Sequence, residues 1–206
     1  MKRFIAVVAL QEGAYNKVVY EATDCPEEMA YGETRVPLLP VLNASVEEGE
    51  TIEVILIAAK NERLERLTTE TKKDGTYKTA FERNLDWTKE EILEWATQKK
   101  IKVLGIDKPI EKDEPANMTQ LMGLLKELID RVNENWHSED LFFADVTFGQ
   151  KPMTIVLLYL LRYIRAIKKN VIEHIVYGQV YWKAKMQDGK PVQRTEYILK
   201  IKDNMP

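Results

Sequence analysis

Leu141-Phe142-Phe143-Ala144-Asp145-Val146-Thr147-Phe148-Gly149-Gln150-Lys151-Pro152 joins an apolar run to a helical pattern with almost nothing between them. Amphipathic helical spacing begins at Met153 and continues to Lys169. A buried strand that ends in Asp-x-Thr-x-Gly and turns at once into a helix places its turn against the helix N-terminus. Unpaired N–H groups and the positive end of the helix dipole face outward there. Pro152 suits the first helical turn, where a missing N–H has no consequence. The stretch therefore predicts a pocket at the carboxyl end of a strand that favours an anion such as phosphate.

Similar apolar runs lie on either side of it. Phe4 to Leu10, Ile52 to Ala59, Ile101 to Ile106, Leu141 to Val146 and Val171 to Tyr177 read as strands buried on both faces. Helical patterns separate most of them. Thr88-Lys89-Glu90-Glu91 reads as a capping box opening a helix to about Lys99, and Met118 to Val132 repeats Leu and Met at helical spacing. Alternating strands and helices predict an α/β fold, a mostly parallel sheet flanked by helices. Residues 11–34 read as a polar loop with a short hairpin around Val18-Val19-Tyr20, and residues 179–201 as a C-terminal β-hairpin turning at Asp188-Gly189. If the chain divides, it does so near Gly178, with a Rossmann-like sheet domain over 1–178 and a hairpin extension over 179–206.

Composition limits the function. The chain has 206 residues, 45% hydrophobic, with a net charge of −3, which carries no nucleic-acid signature for the whole. Residues 150–206 hold 11 Lys and Arg against 4 Asp and Glu, so the basic part begins at the anion pocket; a solvated basic helix face explains the same numbers. One cysteine, Cys25, rules out an internal disulfide framework. With two histidines besides, a zinc site is not expected, nor any other metal or cofactor. The opening residues carry no signal-peptide pattern, and Ile155 to Leu161, the longest apolar run, stops far short of the roughly 20 residues of a membrane span. A cytoplasmic protein without a membrane segment is expected.

Ligands of open α/β sheets sit at the carboxyl ends of strands. Four loops qualify: Gln11-Glu12-Gly13-Ala14-Tyr15, Lys60-Asn61-Glu62, Thr147 to Lys151, and Gly178-Gln179. Their small, amide and cationic groups suit phosphates and base edges, although ordinary polar loops have the same composition. Neither Gly-x-Gly-x-x-Gly nor a Walker A sequence is present, which argues against dinucleotide binding and NTP hydrolysis. Asp145, with no second carboxylate beside it in sequence, reads as a cap of the following turn or a hydroxyl ligand. Arg131 and His137 mimic a ribonuclease spacing and read as coincidence; His174 reads as structural. Helix 153–169 is apolar on more than one face, as packing on both the sheet and a second subunit requires.

Five features in order resemble the CRISPR-associated Rossmann fold (CARF) domains of the Asp-x-Thr-His-Gly type: Gly13-Ala14-Tyr15, Tyr20-Glu21, Thr34-Arg35-Val36-Pro37, Asp145-Val146-Thr147-Phe148-Gly149 and Tyr177-Gly178. The resemblance spans about residues 3–182. It departs at Phe148, where the motif has histidine, and at Gln150-Lys151, where Phe-Arg is usual. It implies a Rossmann-like homodimer that senses cyclic oligoadenylate, tetra-adenylate above all, in type III CRISPR antiviral defence, with one ring across the two-fold axis. By that likeness Thr147, Gly149, Gln150 and Lys151 hold phosphates, and Gln11, Glu12, Gly13 and Asn61 meet ribose and adenine. Such domains control a fused or associated effector, and the polar end from Lys200 onward is where a linker to one is expected. The alternative implied is a metal-independent ring nuclease using Lys151, Thr147 and Lys60. A DNA-binding regulator of another kind ranks last, since no helix-turn-helix pattern is present.

Overall fold

The computed structural model describes residues 1–9, 12–13, 16–22, 31–148, 151–181, 186–187, 190–191 and 195–201. Cys25 and the turn residues Asp188 and Gly189 lie outside them. The elements run β1 (Lys2–Val7), β2 (Tyr20–Ala22), α1 (Leu38–Ser45), β3 (Thr51–Lys60), β4 (Leu67–Thr71), β5 (Tyr77–Thr79), α2 (Ala80–Gln98), β6 (Lys102–Leu104), β7 (Ile110–Asp113), α3 (Met118–Asn133), β8 (Leu141–Asp145), α4 (Lys151–Ala166), β9 (Val171–Tyr181), β10 (Met186–Gln187), β11 (Lys190–Pro191) and β12 (Thr195–Ile201).

The main sheet has the order β2-β12-β9-β8-β1-β3-β6, with β7 also on the outer edge of β3. Every pairing in it is parallel except β9 with β12. The fold is thus the expected α/β, Rossmann-like architecture. Strand alternation divides the core. Phe4, Ala6 and Val8 face Leu38, Leu42, Ile92 and Trp95 of α1 and α2. Ile5, Val7, Ile55 and Ile57 face Leu124, Leu128, Leu157, Leu160 and Leu161 of α3 and α4. Because both faces are covered, eight consecutive residues of β3 are buried, which is why that strand reads as a continuous apolar run. Phe4 and Phe143, paired across β1 and β8, stack with centroids 4.4 Å apart.

The structure differs from the sequence reading in five places. The runs 101–106 and 171–177, expected to be buried on both faces, are not: Lys102, Leu104, Val171, Glu173 and Tyr177 are exposed, because these strands lie nearer the sheet edges or are covered on one face only. The helix expected to open at Thr88 opens nine residues earlier: Thr79 and Glu82 form the capping box, and Thr88 sits mid-helix with its hydroxyl donating to the Asn84 carbonyl at 2.8 Å. Both sites read T-x-x-E, and packing of Ala80 and Phe81 into the core selects the first. Tyr20 to Ala22 is an edge strand on β12, not half of a hairpin, because Val18 bridges Thr34 and leaves the next residues to the sheet. A hairpin missed from the sequence, β4–β5, turns at Asp74-Gly75, where Gly75 has φ +84°. Finally, the C-terminal strands are antiparallel as expected, but β9 passes through Gly178 without a break and β12 belongs to the main sheet.

The amino ends of the strands are closed by buried charge. Arg3 on β1 is fully buried. Its Nε donates to Glu53 Oε2 at 2.6 Å, and its Nη1 donates to the Val132 carbonyl at 2.6 Å. Glu53 also takes Arg131 of α3 at 3.1 Å, so one carboxylate ties two arginines from two layers together. Arg131 is therefore structural, and so is the His137 segment, whose N–H donates to Asp140 and whose carbonyl accepts from Asn170. Gly105 lies against this network with φ +79°. A β-carbon there would stand 2.7 Å from Arg131 Nη2 and 3.0 Å from the Val54 carbonyl. Gly105→Ala is expected to lower stability by about 1–3 kcal/mol from backbone strain alone. Urea denaturation tests this, and an unchanged midpoint would contradict the packing described.

Candidate functional site

Chain direction reverses at β1. The chain moves from β1 to β3 on one side and later returns to β8 on the other, so the carboxyl ends of β1 and β8 flank a topological switch point. Register puts Asp145 level with Ala6 of β1 and Val176 of β9, and Ala6 level with Leu56 of β3. Thr147 thus stands at the rim beside the exit of β1, while the longer β3 carries Lys60 and Asn61 further out.

Asp145 is 1% exposed, and the Thr147 N–H donates to its Oδ1 at 2.8 Å. This is the turn-capping role expected of it. Burial raises its pKa from the usual carboxylate range to about 6, against the lowering effect of the bonds from Thr147. Val146 N–H donates to the Val176 carbonyl at 2.9 Å, which keeps β8 paired to its last residue and aims the turn out of the sheet. Thr147 and Phe148 are half-buried, and exposed Lys151 opens α4. Gly149 and Gln150 lie outside the described residues.

At the exit of β1, Gln11, Ala14 and Tyr15 lie outside the described residues. Glu12 and Gly13 are exposed. Glu12 pairs with Arg66 of the segment leading into β4. At the end of β3, Lys60 is held by Glu111 at 2.9 Å and lies 4.7 Å from the Phe81 ring centroid. Asn61 is a turn residue: its Oδ1 accepts from Leu64 N–H at 3.1 Å and its Nδ2 donates to Glu114 at 3.1 Å. Beside them a cleft of about 440 Å³ is walled by Lys60, Lys72, Lys78 and Phe81 together with Glu65, Glu82, Asp86 and Glu111. Lys72 pairs with Glu82 and Lys78 with Asp86. Each lysine of this cleft is therefore paired, with four carboxylates against three lysines, and the cation nearest the elbow in sequence is Lys151. Gly178 lies inside β9, opposite Ile198, and not in a loop after it, because the antiparallel partner β12 extends that strand past the rim. Among the described residues, no three His, Cys, Asp or Glu are arranged to hold a metal ion, and no helix is long and apolar enough to cross a membrane.

Sequence reasoning missed a polar stripe on the buried side of α2. Arg83, Asn84, Thr88 and Glu91 are all under 9% exposed. Asn84 Nδ2 donates to the Ala9 carbonyl at 2.9 Å, and Arg83 Nη2 donates to the carbonyls of Glu12 and Gly13 at 3.2 and 3.0 Å. Glu91 accepts from the Thr34 hydroxyl at 2.6 Å, the Arg35 N–H at 3.0 Å and Arg35 Nη1 at 2.8 Å. The signal was present: Asn84, Thr88, Glu91 and Trp95 recur at helical spacing on the face where an apolar stripe belongs. No family model matches this chain, and no curated protein is significantly similar to it.

The raised pKa of Asp145 has a definite sign. Its neutral form is favoured in the fold, so its contribution is fully present below the unfolded pKa and is lost as pH rises through about 6. Asp145→Asn keeps an oxygen for Thr147 and removes the titration. The variant is expected to match the parent near pH 4 and to exceed it above pH 7, by up to about 3 kcal/mol. Denaturation curves across that range test it; a parallel offset at every pH would show that burial of the carboxylate is not the cause.

Proposed function

We propose that this chain is a cyclic oligoadenylate sensor of a type III CRISPR antiviral response, binding one ring across a homodimer, with tetra-adenylate the favoured ring. The observation that carries the reading is the Asp145–Phe148 elbow, which leaves β8 beside the β1 exit and leads within a few residues to the start of α4. The Asp-x-Thr-x-Gly resemblance supplies the ligand class, and the elbow supplies a physical reason for it. A helix start directed to solvent, with Lys151 on its first turn, favours the phosphates of a nucleotide ring. Thr147 stands beside that start, and Glu12 and Gly13 rim the neighbouring strand.

The dimer is supported by the outer side of α4. Ile155, Leu158 and Tyr159 are 49, 51 and 59% exposed at i, i+3 and i+4, an apolar stripe starting about one turn into α4. A two-fold contact along it would bring two elbows toward one ligand. Ring hydrolysis is the second reading. It would need cations free to stabilise developing charge, and the engagement of Lys60 with Glu111 and Phe81 supports it less than binding. Control of a fused or associated effector, in the cytoplasm, belongs to the same proposal.

Calorimetry with cyclic tri-, tetra- and hexa-adenylate is the direct test, and binding of none of them ends the reading. Lys151→Ala is expected to weaken the preferred ring by about tenfold, the range of one charge-assisted phosphate contact. Unchanged affinity would remove Lys151 from the site. Leu158→Glu is expected to convert the dimer to monomer in sedimentation and to abolish ring binding together with it. A monomeric parent would refute the shared site.

A further inference from the structure

Arg83 is 4% exposed, and a guanidinium is expensive to bury unless its donors are used. Here Nη2 holds the carbonyls of Glu12 and Gly13, and Nε and Nη2 both reach Asn84 Oδ1, at 3.2 and 3.0 Å. Asn84, fully buried, turns its amide to the Ala9 carbonyl. Two adjacent side chains of α2 thus grip the main chain at three points where it leaves β1. The Arg83 guanidinium lies 4.8 Å from the Trp87 ring centroid, and Arg35 lies 4.1 Å from the same ring. Arg35 in turn pairs with Glu91, so the grip is continuous with the segment that enters α1.

Glu12 and Gly13 are exposed, and water would satisfy their carbonyls as well as any side chain. Main chain held at Ala9, Glu12 and Gly13 before a ligand arrives avoids part of the ordering penalty of binding and presents its groups at fixed distances.

We propose that Arg83 and Asn84 are positioning residues of the ligand site, holding the β1 exit in the shape that reads the base and ribose of a nucleotide whose phosphate sits at the Thr147 elbow. The assignment rests on the nucleotide reading above. It separates two tasks: the elbow captures phosphate, and the α2 grip confers base discrimination.

Arg83→Lys keeps the charge and one line of donation but loses the planar fork that serves two carbonyls and Asn84 together. Affinities of the parent and this variant for cyclic tetra-adenylate and cyclic tetra-uridylate are to be compared. The expected result is a loss of at least about tenfold for the adenylate ring with less than about threefold for the uridylate ring. Trp87→Leu, which leaves the donors in place, is expected to act in the same direction with smaller size. Equal losses for both rings, or none, would overturn the proposal. Amide resonances of Glu12 and Gly13 without ligand give an independent readout. They are expected to shift in Arg83→Lys, and unmoved resonances would overturn the positioning role even if no ring binds. A parent that binds neither ring while these resonances shift would sink the nucleotide reading and leave the grip itself standing.

Discussion

β1 hydrogen-bonds in parallel to β3 on one edge and to β8 on the other, and no tight turn can join either pair. Each neighbour has to be reached by a crossover, and right-handed crossovers in opposite directions lie on opposite faces of the sheet. That constraint puts α1 and α2 against Phe4, Ala6 and Val8, and α3 and α4 against Ile5 and Val7. It also makes the carboxyl ends of β1 and β8 the point where the two directions part. Asp145 and Thr147 stand beside the end of β1 as a consequence of that pairing, not of any attraction between them.

The two ends of the sheet are built differently. At the amino ends, Arg3 and Glu53 form a buried pair that Arg131 joins from α3, and losing one partner would strand another charge, a change that typically removes about 3–5 kcal/mol. At the carboxyl ends the buried polar groups serve the backbone of loops instead. Asp145 holds the turn to Thr147, Asn84 holds Ala9, and Arg83 holds Glu12 and Gly13. Asp145 is buried at the expense of its own ionisation, a common mark of a position kept for its geometry at a site more than for stability.

Elements with both faces covered were the most legible: β1, β3 and β8 carry unbroken buried stretches that are mostly apolar, because helices cover both sides of them. Legibility failed where burial is partial. β6 and β7 are short and largely exposed, and β4 reads Leu67-Thr68-Thr69-Glu70-Thr71, with no apolar face to announce it. The Asp74-Gly75 turn was the available clue to that hairpin. The elbow was legible because its residues are adjacent in the chain. The partners that modify the other loops were not, since Glu111 meets Lys60, Arg66 meets Glu12 and Arg83 meets Gly13 only after distant segments pack.

From its residues alone the chain determined an alternation of doubly buried strands and amphipathic helices, and with it a parallel sheet whose β8 ends in a turn facing a helix start. Periodicity and local turn chemistry suffice for this, because they act over a few neighbouring residues. Only the tertiary structure decided that Lys60 pairs with Glu111, that Gly178 lies within a strand, that Arg131 belongs to the far end of the sheet, and that α2 bonds the main chain leaving β1. These depend on register and crossover geometry, which set charges and carbonyls from distant segments a few ångströms apart.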